Sequence, residues 1–248
     1  MNSEYLPDNS IELKKASENF MLHSAIQKYS YNFQSLGVPI IQYPQDIVAV
    51  QELIWKVQPD LIIETGIAHG GSLILSASML ALLDLCEAIK NNSGFDPNES
   101  RRKVLGIDTE IRPQNRRIIE THPMASRISM IEGSSINLEV VKRVRKVALE
   151  HNCIMLFLDS NHTHDHVLAE LNLFAPLVTV GSYCVVFDTV IEDLPKDFFP
   201  NRPWGVDNNP KQAVREFVIN NPNFEIDINI NEKLQISVAP DGYLKRNY

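Results

Sequence analysis

Asp60-Leu61-Ile62-Ile63-Glu64-Thr65-Gly66-Ile67-Ala68-His69-Gly70-Gly71-Ser72 is the stretch on which the reading of this 248-residue chain turns. An apolar run closes on a carboxylate and passes through a glycine-rich turn into Ser72 to Ile89, which has the pattern of a helix. Strand, turn and helix in that order are how an open α/β sheet presents backbone N–H groups to a ligand. Gly66 lets the chain pass close to that ligand, and Gly70 and Gly71 open a helix N-terminus. The spacing differs from the G-x-G-x-x-G of dinucleotide sites. It favours S-adenosylmethionine (SAM), with Gly66, Ala68, Gly70, Gly71 and Ser72 around its amino-acid end and Glu64 suited to its ammonium. A tight turn that holds no ligand is the alternative.

Outward from this turn the pattern repeats. Val104 to Asp108, Ile128 to Glu132, Ile154 to Asp159 and Tyr183 to Asp188 are short apolar runs bounded by turn residues, as expected of parallel strands covered on both faces. Helical stretches, among them Asn137 to Glu150 and Asp165 to Phe174, lie between them, which predicts a Rossmann-like doubly wound α/β sheet of about seven strands. After a helix over Lys211 to Ile219, the runs Phe224 to Asn229 and Leu234 to Ala239 read as a β-hairpin turning at Asn231-Glu232. A parallel sheet closed by such a hairpin is the class I methyltransferase arrangement. Residues 1–43, with an amphipathic stretch over 10–30 and the aromatics Tyr31, Phe33 and Tyr43, read as a helical N-terminal cap or lid. A helix from Pro44 ends at Pro59, and residues 44–248 read as the SAM-binding domain. Asn91 to Ser100 reads as a mobile surface loop.

Composition narrows the classes. Hydrophobic residues make up 44% and charged residues 22%, as in a globular chain with a sizeable core. A net charge of −8 argues against a nucleic-acid partner, and Arg101-Arg102-Lys103 reads as a short solvated loop. No run of about eighteen apolar residues and no leader-like N-terminus is found, so a cytoplasmic protein without a membrane span is expected. Cys86, Cys153 and Cys184 read as separate, buried, reduced thiols.

The strand ends carry the candidate chemistry. Asp108 is placed to accept from ribose hydroxyls. Gly133, Ser134 and Ser135 are placed to close over an adenine, or else to cap the helix that follows. Asp159 and Asp188 end neighbouring strands, where they either share a divalent cation or cap the next turns. His162 is suited to act as general base on a substrate hydroxyl, or is an ordinary loop histidine.

Together the stretches ETGIAHGGS, GIDTEIR, IEGSSI, LDSNHTHDHVLAEL, APLVTVGSYCVVFDT and PWG…QAVREF…GYLKR, from about Tyr43 onward, resemble the cephalosporin hydroxylase and rhamnosyl O-methyltransferase-like family. The resemblance implies a class I fold, SAM on the glycine turn with Asp108 on its ribose, and Mg2+ held by Asp159 and Asp188. O-methylation of a sugar, glycan or natural-product hydroxyl fits the resemblance, and Asp159, His162 and Asp188 read as facing the acceptor. Relatives tend to read Glu-Asp where this chain has Phe187-Asp188, which removes one acidic ligand. Glu192 or Asp193 could compensate; without metal, His162 would be the base, oriented by Asp159. Three other readings stay open: a SAM-binding scaffold without activity, an oxygenase using His162, His166 and Asp159, and a dehydrogenase. A homo-oligomer is compatible with the apolar N-terminal segment.

Overall fold

The computed structural model describes residues 11–96 and 99–248. The first ten residues of the expected lid, and Pro97 and Asn98 in the expected loop, lie outside them. The N-terminal segment contains α1 (Ile11–Ile26), a single 3-10 turn, and two short antiparallel strands, β1 (Phe33–Ser35) and β2 (Val38–Ile40), that the sequence reading had not resolved. Next comes α2 (Pro44–Val57), which has Pro at its first turn and ends at Gln58 in the left-handed conformation, just before Pro59.

The alternation follows: β3 (Leu61–Thr65), α3 (Gly71–Asn91), β4 (Lys103–Asp108), α4 (Pro113–Thr121), β5 (Ile128–Glu132), α5 (Leu138–Ala148), β6 (Ile154–Leu158), α6 (His164–Phe174) and β7 (Tyr183–Val186). The chain closes with α7 (Pro210–Asn220), β8 (Phe224–Ile226), α8 (Ile228–Leu234) and β9 (Tyr243–Arg246). Among the described residues, Asn137 accepts from the Glu139 amide to cap α5, and Asn209 from those of Lys211 and Gln212 to cap α7.

Seven strands form one sheet in the order β5-β4-β3-β6-β7-β9-β8. The first five pair in parallel, and β9 and β8 are antiparallel. Alternate strand residues feed two apolar layers. Ile62, Val104, Met155 and Val185 pack with α2 and α3; Leu61, Ile63, Leu105 and Leu156 pack with α5, α6 and α7. Burial on both faces is why these strands read as continuous apolar runs. The chain leaves β3 toward β4 on one side, while β6 lies on the other. The crevice at the ends of β3 and β6 is therefore the topological switch point, where open α/β sheets bind ligands.

Three expectations need correction. The antiparallel terminal pair exists, but its second strand is Tyr243–Arg246, not Leu234 to Ala239. Alternation in Ile228-Asn229-Ile230-Asn231 imitates a strand, yet the segment coils into α8 and lays Ile230 and Leu234 on the core. Beyond it, Asp46 replaces a sheet ladder by accepting from Ser237 Oγ (2.6 Å), the Val238 amide (2.9 Å) and Tyr243 OH (2.7 Å). Arg102 is not a solvated loop residue: it bridges Asp84 at 2.5 Å and Glu87 at 2.9 Å on α3, and buried Arg127 meets Asp84 beside it. Cys184 is buried, but Cys86 and Cys153 are half-exposed; all three are free thiols.

Among the described residues α3 alone is long and apolar enough to cross a membrane (mean hydropathy 1.8). In this fold it serves as a core helix, with Leu73, Ile74, Ala77 and Leu80 fully enclosed.

Candidate active site

The glycine turn joins β3 to α3, and its geometry is fixed by the protein around it. Gly66 has φ 90°, and a Cβ there would collide with the Asp159 carbonyl; at Gly71 a Cβ would meet the Pro39 carbonyl. These glycines let β6 and the N-terminal hairpin approach the turn, a packing reason that the sequence reading had assigned to a ligand. The Asp108 carboxylate accepts from the amides of Ile67 (2.8 Å) and Ala68 (3.2 Å), so it braces the turn.

A cavity of about 610 Å3 opens over this edge of the sheet. Gly66, Ala68, His69, Gly71 and Ser72 line it, together with Asp159, His162 and Asp188. Tyr31 and Tyr43 from the N-terminal segment and Trp204 from the loop before α7 also line it. Of the expected SAM residues, Gly70 caps α3 without lining the cavity, Glu64 lines a small cavity of about 30 Å3 instead, and Asp108 lines neither. Gly133, Ser134 and Ser135 follow β5 at the same sheet edge but are not part of the lining. Asn137 caps α5 itself, and Ser135 Oγ meets His166 Nε2 at 3.1 Å.

Glu64 is buried and takes a hydrogen bond from Ser76. Burial pushes its carboxyl up to about 7 despite hydrogen bonds from Ser76 and Ser72. Burial, followed by repulsion from Asp188 and Glu64, holds Asp159 well above the usual carboxylate range. Both carboxyls therefore favour the protonated form, and a positive partner such as a sulfonium-bearing amino acid or a divalent cation would favour their ionisation.

Asp159, His162 and Asp188 bring one ligand atom each within 4.8 Å of one another. His162 Nε2 lies 3.2 Å from Asp188 Oδ2 and its ring meets Trp204 edge-on, with centroids 4.8 Å apart. The carboxylate beside His162 is thus Asp188, not the expected Asp159. Neither aspartate serves as a turn cap. Asp188 has left-handed φ 57° and makes no side-chain cap hydrogen bond, while Asn161 holds the turn after β6 by accepting from the Thr163 amide. Two carboxylates and an imidazole at this spacing suit a divalent cation, with water completing its shell.

Other sequence candidates are drawn elsewhere. Phe187 packs its ring on Phe157 (centroids 6.1 Å apart) and adds no oxygen. Glu192 accepts from Asn209 and Gln212, and Asp193 pairs with Lys211 at 2.6 Å, so neither joins the cluster. His166 faces Ser135 and Glu170, so the His162, His166 and Asp159 set imagined for an oxygenase is not assembled. The sequence reading missed Gln42, which donates to Asp159 Oδ2 at 3.0 Å. It also missed Arg112, which lines the cavity, and it quoted Trp204 without giving it a place there. Gln42 lies in a segment without a local motif, while Arg112 and Trp204 belong to the quoted stretches GIDTEIR and PWG, whose place at the cavity only the fold reveals.

Comparison with known proteins agrees with this geometry. The family model described as Rhamnosyl O-methyltransferase/CmcI matches residues 27–247. The rhamnosyl O-methyltransferase of Mycobacterium tuberculosis (strain H37Rv) is 28% identical over 217 residues, covering 86% of this chain and 77% of the relative. That of Mycobacterium leprae is 26% identical over 215 residues, covering 85% and 82%. A solved structure of CmcI with Mg and SAM superposes with a TM-score of 0.55 at 17% identity, over 88% of this chain and 78% of that one. An O-methyltransferase from Bacillus cereus in complex with SAH gives 0.50 at 14% identity, over 90% and 85%. With the seven-stranded class I architecture in place and the match spanning nearly the whole length, the chain belongs to the Rhamnosyl O-methyltransferase/CmcI family.

Proposed function

We propose that the chain is a SAM-dependent O-methyltransferase acting on a hydroxyl of a sugar, or of a small molecule that carries one. One observation carries this reading: a single cavity joins the glycine turn to the Asp159, His162 and Asp188 cluster. Donor and acceptor can therefore meet within it. The mycobacterial relatives named as rhamnosyl O-methyltransferases support a sugar hydroxyl as acceptor.

SAM, when bound, supplies a sulfonium methyl group: its S–CH3 bond breaks as an O–CH3 bond forms, leaving S-adenosylhomocysteine, a methyl ether and one proton. The chain's residues align, shield and deprotonate. The N-terminus of α3, at Gly71 and Ser72, offers unpaired amides to a carboxylate, and Glu64 offers a counter-charge to an ammonium. Asp108 accepts at the ribose while bracing the turn, and Gly133 to Ser135 border the adenine side. His162 Nε2, beside Asp188, takes the acceptor's hydroxyl proton. Tyr31, Tyr43 and Trp204 exclude water, and holding the two reactants in line supplies much of the rate.

Asp159 and Asp188 would hold Mg2+, which supplies Lewis-acid orientation of the acceptor oxygen when present. The clustered acidic oxygens and the raised Asp159 fit such an ion.

The division into a 1–43 lid and a 44–248 domain is supported, for the described part of that segment, by Tyr31 and Tyr43 in the cavity wall. We place the activity in the cytoplasm on a small-molecule acceptor without nucleic acid, in keeping with the net charge of −8. Incubation with methyl-labelled SAM and rhamnose-bearing acceptors, with and without Mg2+, tests the reading. Label in a methyl ether supports it. SAM binding without transfer to any hydroxylated acceptor would instead favour a scaffold that has lost its chemistry, the reading that Phe187 suggests.

A further inference from the structure

We propose that Gln42 is a ligand of the divalent cation at Asp159 and Asp188, its side-chain carbonyl supplying an oxygen that Phe187 does not; this rests on the cation reading above. Gln42 sits between β2 and α2, where the N-terminal segment meets the sheet, and is only 7% exposed. It borders the large cavity and also a small one of about 30 Å3, whose wall includes Glu64, Thr65, Asp159 and Phe187.

Gln42 is half satisfied. Its Nε2 donates to Asp159 Oδ2, while its Oε1 is buried with no hydrogen-bond partner. Thr65 Oγ1, in the wall of the same small cavity, is another buried oxygen without a partner. An orphaned buried acceptor costs about 1–3 kcal/mol, and the small cavity it borders is walled by the carboxyl groups of Asp46, Glu64 and Asp159, each pushed up by burial, a wall whose negative charge a cation would offset.

A half-turn about the last side-chain torsion exchanges the amide oxygen and nitrogen, which are equivalent in shape. Oε1 would then lie about where Nε2 lies now, 3.0 Å from Asp159 Oδ2. Adjacent oxygens on an octahedral ion with metal–oxygen bonds of 2.0–2.1 Å are about 2.9 Å apart. The spacing already fits two ligands on one ion. Without the ion, the amide donates to Asp159 and eases its repulsion from Asp188. With it, the carbonyl turns inward and ties the N-terminal segment to the metal.

Mn2+ is the probe, titrated into the full-length protein and followed by the electron paramagnetic resonance of free Mn2+. Gln42→Ala should weaken Mn2+ binding about tenfold and Gln42→Glu should tighten it by a similar factor. In a Phe187→Glu background, where a carboxylate is added next to Asp188, Gln42→Ala should cost less than about threefold. Unchanged Mn2+ affinity in both Gln42 variants, with Asp188→Asn abolishing binding, would overturn the proposal and leave the cation reading standing. If wild-type protein that binds SAM takes up no Mn2+, the cation reading fails and the proposal with it. Gln42→Glu keeps the test decisive should Gln42→Ala fail to fold.

Discussion

Replacing Glu64 with Gln separates the demands of folding from those of the cofactor. The folded chain holds this carboxyl at about 7, against 4.5 for an ordinary glutamate, because burial outweighs the hydrogen bonds from Ser76 and Ser72. A raised carboxyl favours the protonated form in the fold. The penalty is therefore absent below about pH 4.5, grows as pH rises, and is fully developed above about 7. At about 1.4 kcal/mol per pH unit, the ionised carboxylate costs the ligand-free protein about 3 kcal/mol at pH 8. Glu64→Gln keeps the shape and the serine contacts but carries no charge. Without ligand it should melt roughly 6–12 °C above the wild type at pH 8, the scale expected for a domain of this size, and the gain should shrink toward nothing as pH falls to about 4.5. The same substitution should weaken SAM binding about 10–100-fold, the loss expected for one charge-assisted hydrogen bond. Thermal scans across pH 5–8 and calorimetric titration with SAM read both effects. A variant that is no more stable than wild type at pH 8, or that binds SAM equally well, would refute the reasoning.

Four further outcomes are expected. His162→Gln should lower kcat about 10²–10⁴-fold while leaving SAM affinity within about twofold, measured by single-turnover methyl transfer and calorimetry. Trp204→Ala removes the ring against His162 and should raise the acceptor KM more than it lowers kcat, as read from steady-state kinetics. Asp46→Ala strands the Ser237 hydroxyl, the Val238 amide and the Tyr243 hydroxyl and should cost about 3–5 kcal/mol in urea unfolding at pH 7.5. Because burial raises the Asp46 carboxyl from 3.8 to about 6, its ionisation penalises the fold increasingly between about pH 4 and 6, so Asp46→Asn should lose most against wild type near pH 4 and least above about 6.

The sheet was legible because its central strands are covered on both faces. Ile62 and Ile63 point to opposite apolar layers, and a chain obliged to fill both produces unbroken apolar runs. The terminal strand was not, because Asn229 and Asn231 alternate with isoleucines in a stretch that coils, while Ser237 and Val238 are held by one buried carboxylate from α2. Asp159 and Asp188 could be proposed from their places at neighbouring strand ends. That Asp188 rather than Asp159 lies beside His162 is set by how the turns after β6 and β7 fold toward each other, which no local pattern encodes. Gln42 was invisible for a related reason: it is 117 residues from Asp159 in sequence and meets it only when the N-terminal hairpin packs on the glycine turn.

The most direct test is calorimetric titration of the folded protein with SAM, followed in the same sample by addition of a rhamnose-bearing acceptor and mass analysis of the product. One SAM should bind per chain, lost or much weakened in Glu64→Gln, and the acceptor should become heavier by one methyl group in place of one hydrogen. Protein shown to be folded that binds no SAM would contradict the SAM-dependent reading.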